Sequence, residues 1–203
     1  MNYLAHAYLS FDIPEITAGN MMSDFVKGKQ KELYPSKIRQ GIVLHRAIDS
    51  FTDTHSVTKK AKAFFREEYG LYAGPLTDIV YDHFLANDPV IFPLGEMGSA
   101  LKSFAERTYR QVAAFETLLP ERFAQLFYYM RREDWLSHYG YKELIFKSFE
   151  GLHQRAKYMP PADGAKRLFE AHYEALEGCY AEFFPELKDF ALRTLDQLAR
   201  AEN

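Results

Sequence analysis

The sequence has few of the features that mark secreted or membrane proteins. Cys179 is the single cysteine among 203 residues, which excludes an intramolecular disulfide framework and fits a reducing compartment. No apolar run reaches the roughly 18 to 20 residues that a membrane helix needs. The first residues do not combine a basic segment with an apolar one, as signal peptides do. We therefore expect a cytoplasmic protein with no membrane contact.

Glycine-rich nucleotide-binding motifs and internal repeats are also lacking. The chain contains neither a GxGxxG motif nor a P-loop, and its net charge of −3 does not favour nucleic-acid binding. No flexible linker divides it. With 47% hydrophobic residues, the chain can bury one substantial core. We expect one domain over residues 1–203.

The hydrophobic pattern predicts an all-α fold. Apolar residues recur at intervals of three and four, whereas the two-residue alternation of strands is rare. Asn2 can cap a short first helix, Ser56 can cap another, and Pro14, Pro35 and Pro185 suit first turns. The sequence predicts a bundle of nine or ten helices. After the short first helix, they cover about residues 14–27, 35–53, 56–69, 76–87, 99–118, 120–131, 141–158, 164–183 and 185–201, with loops at 70–75 and 89–98.

Histidines and aspartates occur at helical spacing inside apolar segments. The rows with a spacing of four residues are His45, Asp49 and Asp53, then Asp78 and Asp82, and then Asn20 and Asp24. Ionisable groups are costly at an apolar boundary, and convergent carboxylates repel one another, unless a cation compensates. Imidazole and carboxylate ligands without thiolate suit Mn²⁺, Fe²⁺, Zn²⁺ or Mg²⁺, and oxygen-rich sites favour Mn²⁺ and Mg²⁺.

Each of these residues also has an ordinary structural explanation. His45 could be a core histidine that donates to a carbonyl, and Asp49 could pair with Arg46 or Lys60. His6, on a short apolar helix, suits a ligand and a packed histidine equally well. Taken singly, each residue favours such an explanation, but their joint occurrence favours a metal site.

The charge distribution is uneven. Residues 27–66 contain ten basic and three acidic side chains, a surplus of seven positive charges in a chain that is acidic overall. Such a surplus beside a metal site predicts an anionic substrate or an acidic protein partner. The more cautious interpretation of the segment 27–31 is a solvated face. Phosphate-bearing ligands are the class that the pattern favours.

Several sequence blocks, in this order, resemble the acyl-carrier-protein phosphodiesterase family. They are MNYLAH at 1–6, GNMMSDFVKG at 19–28, GIVLHRAID at 41–49, then Thr52, Asp53 and Asp78, and DHFL at 82–85. The resemblance implies a hydrolase that removes the 4′-phosphopantetheine arm from the serine of holo acyl carrier protein. It also implies Mn²⁺ as the usual metal, with Mg²⁺ or Fe²⁺ as alternatives, and an all-helical fold related to the HD-type phosphohydrolases. The chain has no His-Asp dipeptide, and its adjacent pair is inverted as Asp82-His83.

The resemblance also suggests roles for individual residues. The expected metal ligands are His6, Asp24, His45, Asp49, Asp82 and His83. Asp24 would orient the attacking water or accept its proton, and Arg46 would brace the phosphodiester charge with its forked donors. His83 would protonate the leaving serine oxygen or bind metal. An acidic carrier protein would dock on Lys27, Lys37, Arg39, Lys59 and Lys60.

Two other functions fit the same residues. The first is an HD-like phosphohydrolase that acts on a nucleotide or another small phosphoester. The second is a non-catalytic helical binding protein in which the polar clusters are buried salt bridges, and such a network needs no stoichiometric ion. The sequence does not indicate the oligomeric state.

Overall fold

The computed structural model describes residues 1–93 and 99–201. Within these ranges it contains eleven α-helices and no strand, which confirms the all-α prediction. The helices are α1 (Tyr3–Tyr8), α2 (Pro14–Met22), α3 (Ser36–Thr54), α4 (Ser56–Tyr69), α5 (Ala73–Ala86), α6 (Ser99–Ala113), α7 (Glu121–Arg132), α8 (Trp135–His138), α9 (Lys142–Arg155), α10 (Ala162–Ala171) and α11 (Tyr173–Arg200). Short 3₁₀ turns lie at Ser23–Phe25, Gly28–Leu33, Gly70–Tyr72 and Glu116–Leu118.

Local sequence signals explain several of the helix starts. The Asn2 side chain accepts a hydrogen bond from the Tyr3 amide at 3.0 Å and so caps α1, as predicted. Pro14 occupies the first turn of α2. The cap of α4 differs from the prediction, because Ser56 is already helical and His55 Nδ1 accepts from the Val57 amide at 3.3 Å.

Other element boundaries also differ from the prediction. The second helix ends at Met22 and continues as a 3₁₀ turn rather than running to residue 27. The fifth helix begins at Ala73, inside the expected loop, and α8 was not predicted. Residues 94–98, which belong to the predicted loop 89–98, lie outside the described residues.

The two C-terminal helices divide at a different residue from the one predicted. Pro185 lies inside α11, and the break falls at His172 instead. Proline removes one backbone donor and usually interrupts a helix. Here Phe183, Phe184 and Leu187 are buried on both sides of the proline, so tertiary packing stabilises one continuous helix across it.

Two glycines allow α2 and α3 to touch along their backbones. A Cβ atom at Gly19 would overlap the carbonyl oxygen of Ile38, and a Cβ at Gly41 would overlap that of Ile16. Only glycine permits this approach. The contact sets the register of α2, with the Ser23–Phe25 turn that follows it, against the middle of α3.

Aromatic side chains from both halves of the chain fill the core. Phe65 of α4, Phe149 of α9, Phe169 of α10 and Phe183 of α11 are fully buried in one connected cluster. The aromatic residues of the second half therefore act in helix packing, as expected. None of the described helices has the length and apolar character that crossing a membrane requires.

Candidate metal centre

Three side chains from α1 and α3 converge near the start of the chain. His6, His45 and Asp49 each place one ligand atom within 4.8 Å of the others. The two imidazole rings stack with centroids 3.9 Å apart and planes inclined by 16°. His6 Nε2 lies 3.2 Å from Asp49 Oδ1, and His45 Nε2 lies 3.1 Å from Asp49 Oδ2. We call these three residues the cluster.

Asn20 of α2 fixes the orientation and the tautomer of His6. Its Nδ2 donates to the His6 carbonyl oxygen at 2.9 Å and to Ser10 Oγ at 3.1 Å. The Asn20 Oδ1 atom therefore faces His6 Nδ1, at 2.8 Å, and Nδ1 must donate. The lone pair of a neutral His6 ring is then on Nε2, the atom that faces Asp49.

The pair His6 and Asp49 has the character of a cation site. Burial and the neighbouring His45 lower the pKa of His6 to about 4, so its ring is neutral at pH 7. Its Nε2 is buried and forms no hydrogen bond within the described chain, although a carboxylate oxygen lies 3.2 Å away. Two electron-rich atoms in such contact repel, and the Met1 ammonium, 3.4 Å from the same Asp49 oxygen, offsets part of this repulsion. Two imidazoles and one carboxylate suit Mn²⁺, Fe²⁺ or Zn²⁺.

Asp24 extends the cluster on its solvent side. Its Oδ1 lies 3.2 Å from His45 Nε2, while 70% of its side chain is exposed. Burial alone would lower the pKa of His45, but the adjacent carboxylates of Asp24 and Asp49 raise it to about 9. The hydrogen bond from His45 in turn lowers the pKa of Asp24. Asp24 is therefore an ionised, accessible carboxylate beside the cluster.

Two carboxylates, those of Asp49 and Asp78, lie beside the α-amino group of Met1. This ammonium lies 3.4 Å from Asp49 Oδ1 and 3.2 Å from Asp78 Oδ1. Burial would raise the pKa of Asp49, but the rings of His45 and His6 and the Met1 ammonium hold it below its usual range. Burial raises the pKa of Asp78. The sequence did not indicate that the backbone terminus would meet the acidic rows of two helices.

Asp82 was predicted to be a metal ligand, but its carboxylate has backbone amides as partners. Its carboxylate accepts backbone hydrogen bonds from Asn2 at 3.4 Å, Leu4 at 2.7 Å and Ala5 at 3.3 Å. It therefore satisfies the free amides at the start of α1. Burial raises the pKa of Asp82 to about 7, although these donors and the Met1 ammonium oppose the shift. Asp82 supports the helix that carries His6 and lies outside the three-residue cluster.

His83 is likewise not brought to the cluster. Its Nδ1 lies 2.7 Å from the Tyr139 carbonyl oxygen, which only a donating Nδ1–H can satisfy, and its Nε2 lies 3.0 Å from the Tyr173 hydroxyl. Both ring nitrogens thus have partners on other elements. Asp82 and His83 are adjacent in sequence, but successive residues of a helix project about 100° apart. The predicted roles of His83 as ligand or acid find no support in this placement.

The other charged residues of α3 also have partners. The Arg46 guanidinium is exposed and donates to the Val26 carbonyl oxygen at 2.8 Å, two residues beyond Asp24. Asp53, the last residue of the predicted row, pairs with Lys62 at 2.6 Å and does not join the cluster. Asp49 is not paired with Arg46 or Lys60 in the structure.

The basic residues predicted to dock a partner lie on the surface. Lys27, Lys37, Lys59 and Lys60 are exposed and Arg39 is half-buried. Glu15 lies 3.7 Å from Lys37, and Glu32 lies 3.6 Å from Arg39. The elements that carry them pack around α3, because α3 contacts both α4 and the Gly28–Leu33 turn.

A cavity of about 790 Å³, which we call the side groove, has Asn2, Tyr3, Phe25 and Ile79 in its lining but none of the three cluster residues. Three of its wall residues directly follow residues of the site: Asn2 follows Met1, Phe25 follows Asp24, and Ile79 follows Asp78. The opposite wall comes from α7, α8 and α9. Sequence reasoning missed this groove, because its two walls are more than 40 residues apart and share no motif.

The family model for acyl carrier protein phosphodiesterase matches residues 1–187 of this chain. The chain belongs to the acyl carrier protein phosphodiesterase family. The acyl carrier protein phosphodiesterase of Enterobacter sp. (strain 638) is 32% identical over 188 residues, which cover 92% of this chain and 95% of the relative. Those of Yersinia pestis and Salmonella agona (strain SL483) are 30% and 31% identical, over 92% and 95% of this chain and 95% and 98% of the relatives. No solved structure matches the chain.

Membership of this family gives the cluster a chemical context. The matched region includes every residue of the cluster, Asp24 and both walls of the side groove. A relationship to HD-type phosphohydrolases and a requirement for manganese stay predictions. The family assignment disfavours the hypothesis that the polar cluster belongs to a non-catalytic binding protein.

Proposed function

We propose that this chain hydrolyses the phosphodiester that joins 4′-phosphopantetheine to the serine of holo acyl carrier protein, and that it requires a divalent cation. The family and the names of its relatives support the reaction. The convergence of two imidazoles on one carboxylate supports the cation. A cytoplasmic location, which the single cysteine Cys179 fits, is part of this proposal.

His6, His45 and Asp49 would hold the cation, with Mn²⁺ the expected ion and Mg²⁺ or Fe²⁺ the alternatives. When bound, such an ion polarises a phosphoryl oxygen and lowers the pKa of a water molecule. Asn20 keeps the His6 Nε2 lone pair directed at the site. Because Asp24 is ionised and exposed, its carboxylate can orient the attacking water and accept its proton.

The exposed Arg46 would meet the substrate's phosphodiester. Its guanidinium is anchored on Val26, two residues after Asp24, and it retains further donors for an anionic oxygen. Arg46 would thus compensate the substrate charge at the solvent side of the cluster. His83, held between Tyr139 and Tyr173, is not part of this mechanism.

The protein substrate would be recognised through charge. Acyl carrier proteins are small and acidic, so the basic residues Lys27, Lys37, Arg39, Lys59 and Lys60 would form the docking surface. Long-range attraction of this kind raises association rates and weakens with salt. The docking surface and the cluster share α3, which carries Lys37 and Arg39 as well as His45 and Asp49.

The decisive experiment is intact-mass measurement of holo acyl carrier protein after incubation with the purified protein and Mn²⁺. Wild-type protein should remove the arm, and chelation should suppress the loss. Asp49→Asn should abolish it, whereas Asp53→Asn, one turn away on α3 and paired with Lys62, should retain it. An unchanged carrier mass with Mn²⁺-loaded enzyme would contradict the proposal. Cleavage of nucleotides or other small phosphoesters instead would favour the broader phosphohydrolase.

A further inference from the structure

The side groove has the size and position of a subsite for the substrate's own arm. Its volume of about 790 Å³ falls within the range of roughly 300 to 1,000 Å³ that is typical of small-molecule sites. One end is built by residues that follow Met1, Asp24 and Asp78 in sequence. Asp24 and the lining residue Phe25 belong to the same short turn, so the groove begins near the solvent side of the cluster.

Tyr3 connects the groove with the helix that carries His6. Tyr3 is the first residue of α1 and lines the groove, and Arg155 at the end of α9 lines it as well. The groove therefore lies between α1, which contributes His6 to the cluster, and α9.

The lining of the groove combines apolar, polar and charged side chains. Phe25, Ile79, Leu126 and Ile145 present apolar surface, Ser148 is polar, and Arg122, Lys147, Arg155 and Glu133 carry charge. A pantetheine chain carries geminal methyl groups, a hydroxyl and two amides. Apolar surface would receive the methyl groups, and scattered donors and acceptors would meet the amides.

We propose that the side groove binds the pantetheine portion of the substrate while its phosphodiester lies at the cluster. This inference rests on the proposed function. It assigns the specificity for the arm to residues of α7, α8 and α9, away from the basic docking residues. The carrier protein would then contribute charge complementarity, and the groove would select the group to be removed.

A glycine in the groove wall offers a direct way to fill it. Gly151 of α9 lines the cavity, and a Cβ built there meets no described heavy atom within 4 Å. Gly151→Trp should therefore enter the groove without disturbing the cluster. Ser148→Trp, one turn earlier on the same face, is a second variant, since within the described residues the Ser148 hydroxyl donates only to the Leu144 carbonyl oxygen of its own helix.

Gly178 provides a matched control. It is exposed in the interior of α11, does not line the groove, and a Cβ there also meets no heavy atom of the described chain within 4 Å. Gly178→Trp adds the same side chain to a helix at an equally open position. Circular dichroism and thermal unfolding should confirm that all three variants fold.

The first measurement is the binding of pantetheine, which lacks phosphate and so reports on the groove without the cluster. Calorimetric or saturation-transfer titration should show binding to wild type and Gly178→Trp, and at least about tenfold weaker binding to Gly151→Trp and Ser148→Trp, because the side chain occupies the ligand's volume. Equal binding to all four proteins, or no binding to wild type, would overturn the inference. This result does not depend on whether the wild type cleaves holo carrier protein.

The second measurement distinguishes the loss of arm binding from the loss of catalysis. Gly151→Trp should lower kcat/KM for holo carrier protein by on the order of a hundredfold, because the arm's binding energy is lost. Hydrolysis of a small aryl phosphodiester and Mn²⁺ affinity should stay at the wild-type level. If the variant lost activity only on acylated carrier protein and cleaved the holo form normally, the occupant would be the acyl chain and the inference would be wrong.

Discussion

His6 Nε2 and Asp49 Oδ1 lie 3.2 Å apart, and no hydrogen bond joins them. Asn20 fixes this arrangement, because its Oδ1 accepts a hydrogen bond from the protonated Nδ1 of His6. Burial and the neighbouring His45 lower the pKa of His6 to about 4, so the ring is neutral and its Nε2 lone pair faces the carboxylate. The Met1 ammonium lies 3.4 Å from the same Asp49 oxygen, and under the proposed function a divalent cation would bind both atoms.

Replacing Asn20 tests this orientation. Asn20→Leu has a similar volume but cannot accept from Nδ1, so the tautomer and the ring position of His6 are no longer fixed. We expect Mn²⁺ affinity, measured by calorimetry, to fall by about 10- to 100-fold, as is typical for groups that orient metal ligands. Asn87→Leu, which alters an amide beside His83 instead, should leave the affinity unchanged. Unaltered binding to Asn20→Leu would show that His6 needs no such support.

The pKa of His45 predicts how the metal-free protein responds to pH. The folded-state pKa of about 9 lies above the ordinary value of 6.5, so protonated His45 stabilises the fold. This contribution is complete below about pH 6.5 and is lost as the pH rises through 9. Urea unfolding should show a steeper decline over this interval in wild type than in His45→Asn, which keeps the contribution of the Met1 ammonium, whose pKa is raised to about 10.

The same proton competes with a cation for His45 Nε2. Apparent Mn²⁺ affinity should therefore increase with pH up to about 9, and binding should release a proton in the lower part of this range. Calorimetry in buffers of different ionisation enthalpy measures this proton. Metal affinity that is independent of pH between 6.5 and 9 would show that His45 is not a ligand.

Asp82 should matter for stability rather than for chemistry. Asp82→Ala leaves the amides of Leu4 and Ala5 without an acceptor inside a buried helix start. We expect the free energy of unfolding to fall by about 1–3 kcal/mol. Asp82→Asn keeps one acceptor oxygen and should cost less. If Asp82→Asn retained full stability but lost Mn²⁺ binding, Asp82 would be a ligand after all.

Reversal of charge tests the docking surface. Lys59→Glu with Lys60→Glu should raise the KM for holo carrier protein at low salt, with little change in kcat, because both side chains are exposed on α4, a helix that contributes no residue to the cluster. High salt should reduce the difference. Lys102→Glu with Arg110→Glu, at exposed positions of α6, controls for net charge. An unchanged KM at low salt would refute this docking surface.

Helical spacing made the centre of the site predictable from the sequence. The other contacts depend on how separate helices pack, which the sequence pattern does not show. The interval of four residues between His45 and Asp49 places both on one face of a single helix, so the sequence alone brings them together. No local pattern predicts that the Asp82 carboxylate accepts hydrogen bonds from the backbone amides at the start of α1. Likewise, Pro185 is a strong local signal for a helix end, but the packing of Phe183 and Leu187 outweighs it.

The contact of α2 with α3 is the part of the fold on which the site depends most directly. A methyl group at Gly41 would overlap backbone atoms of Ile16 and Asn20, so Gly41→Ala must separate the two helices. We expect a loss of about 1–3 kcal/mol in the free energy of unfolding together with weaker Mn²⁺ binding, because Asn20 moves away from His6. Gly178→Ala, at an open position of α11, should instead stabilise the protein by roughly 0.5–1 kcal/mol. Opposite signs in chemical denaturation for the same added methyl group would confirm that the backbone contact, and not helix propensity, decides the effect at Gly41. A stabilised Gly41→Ala protein would refute this explanation.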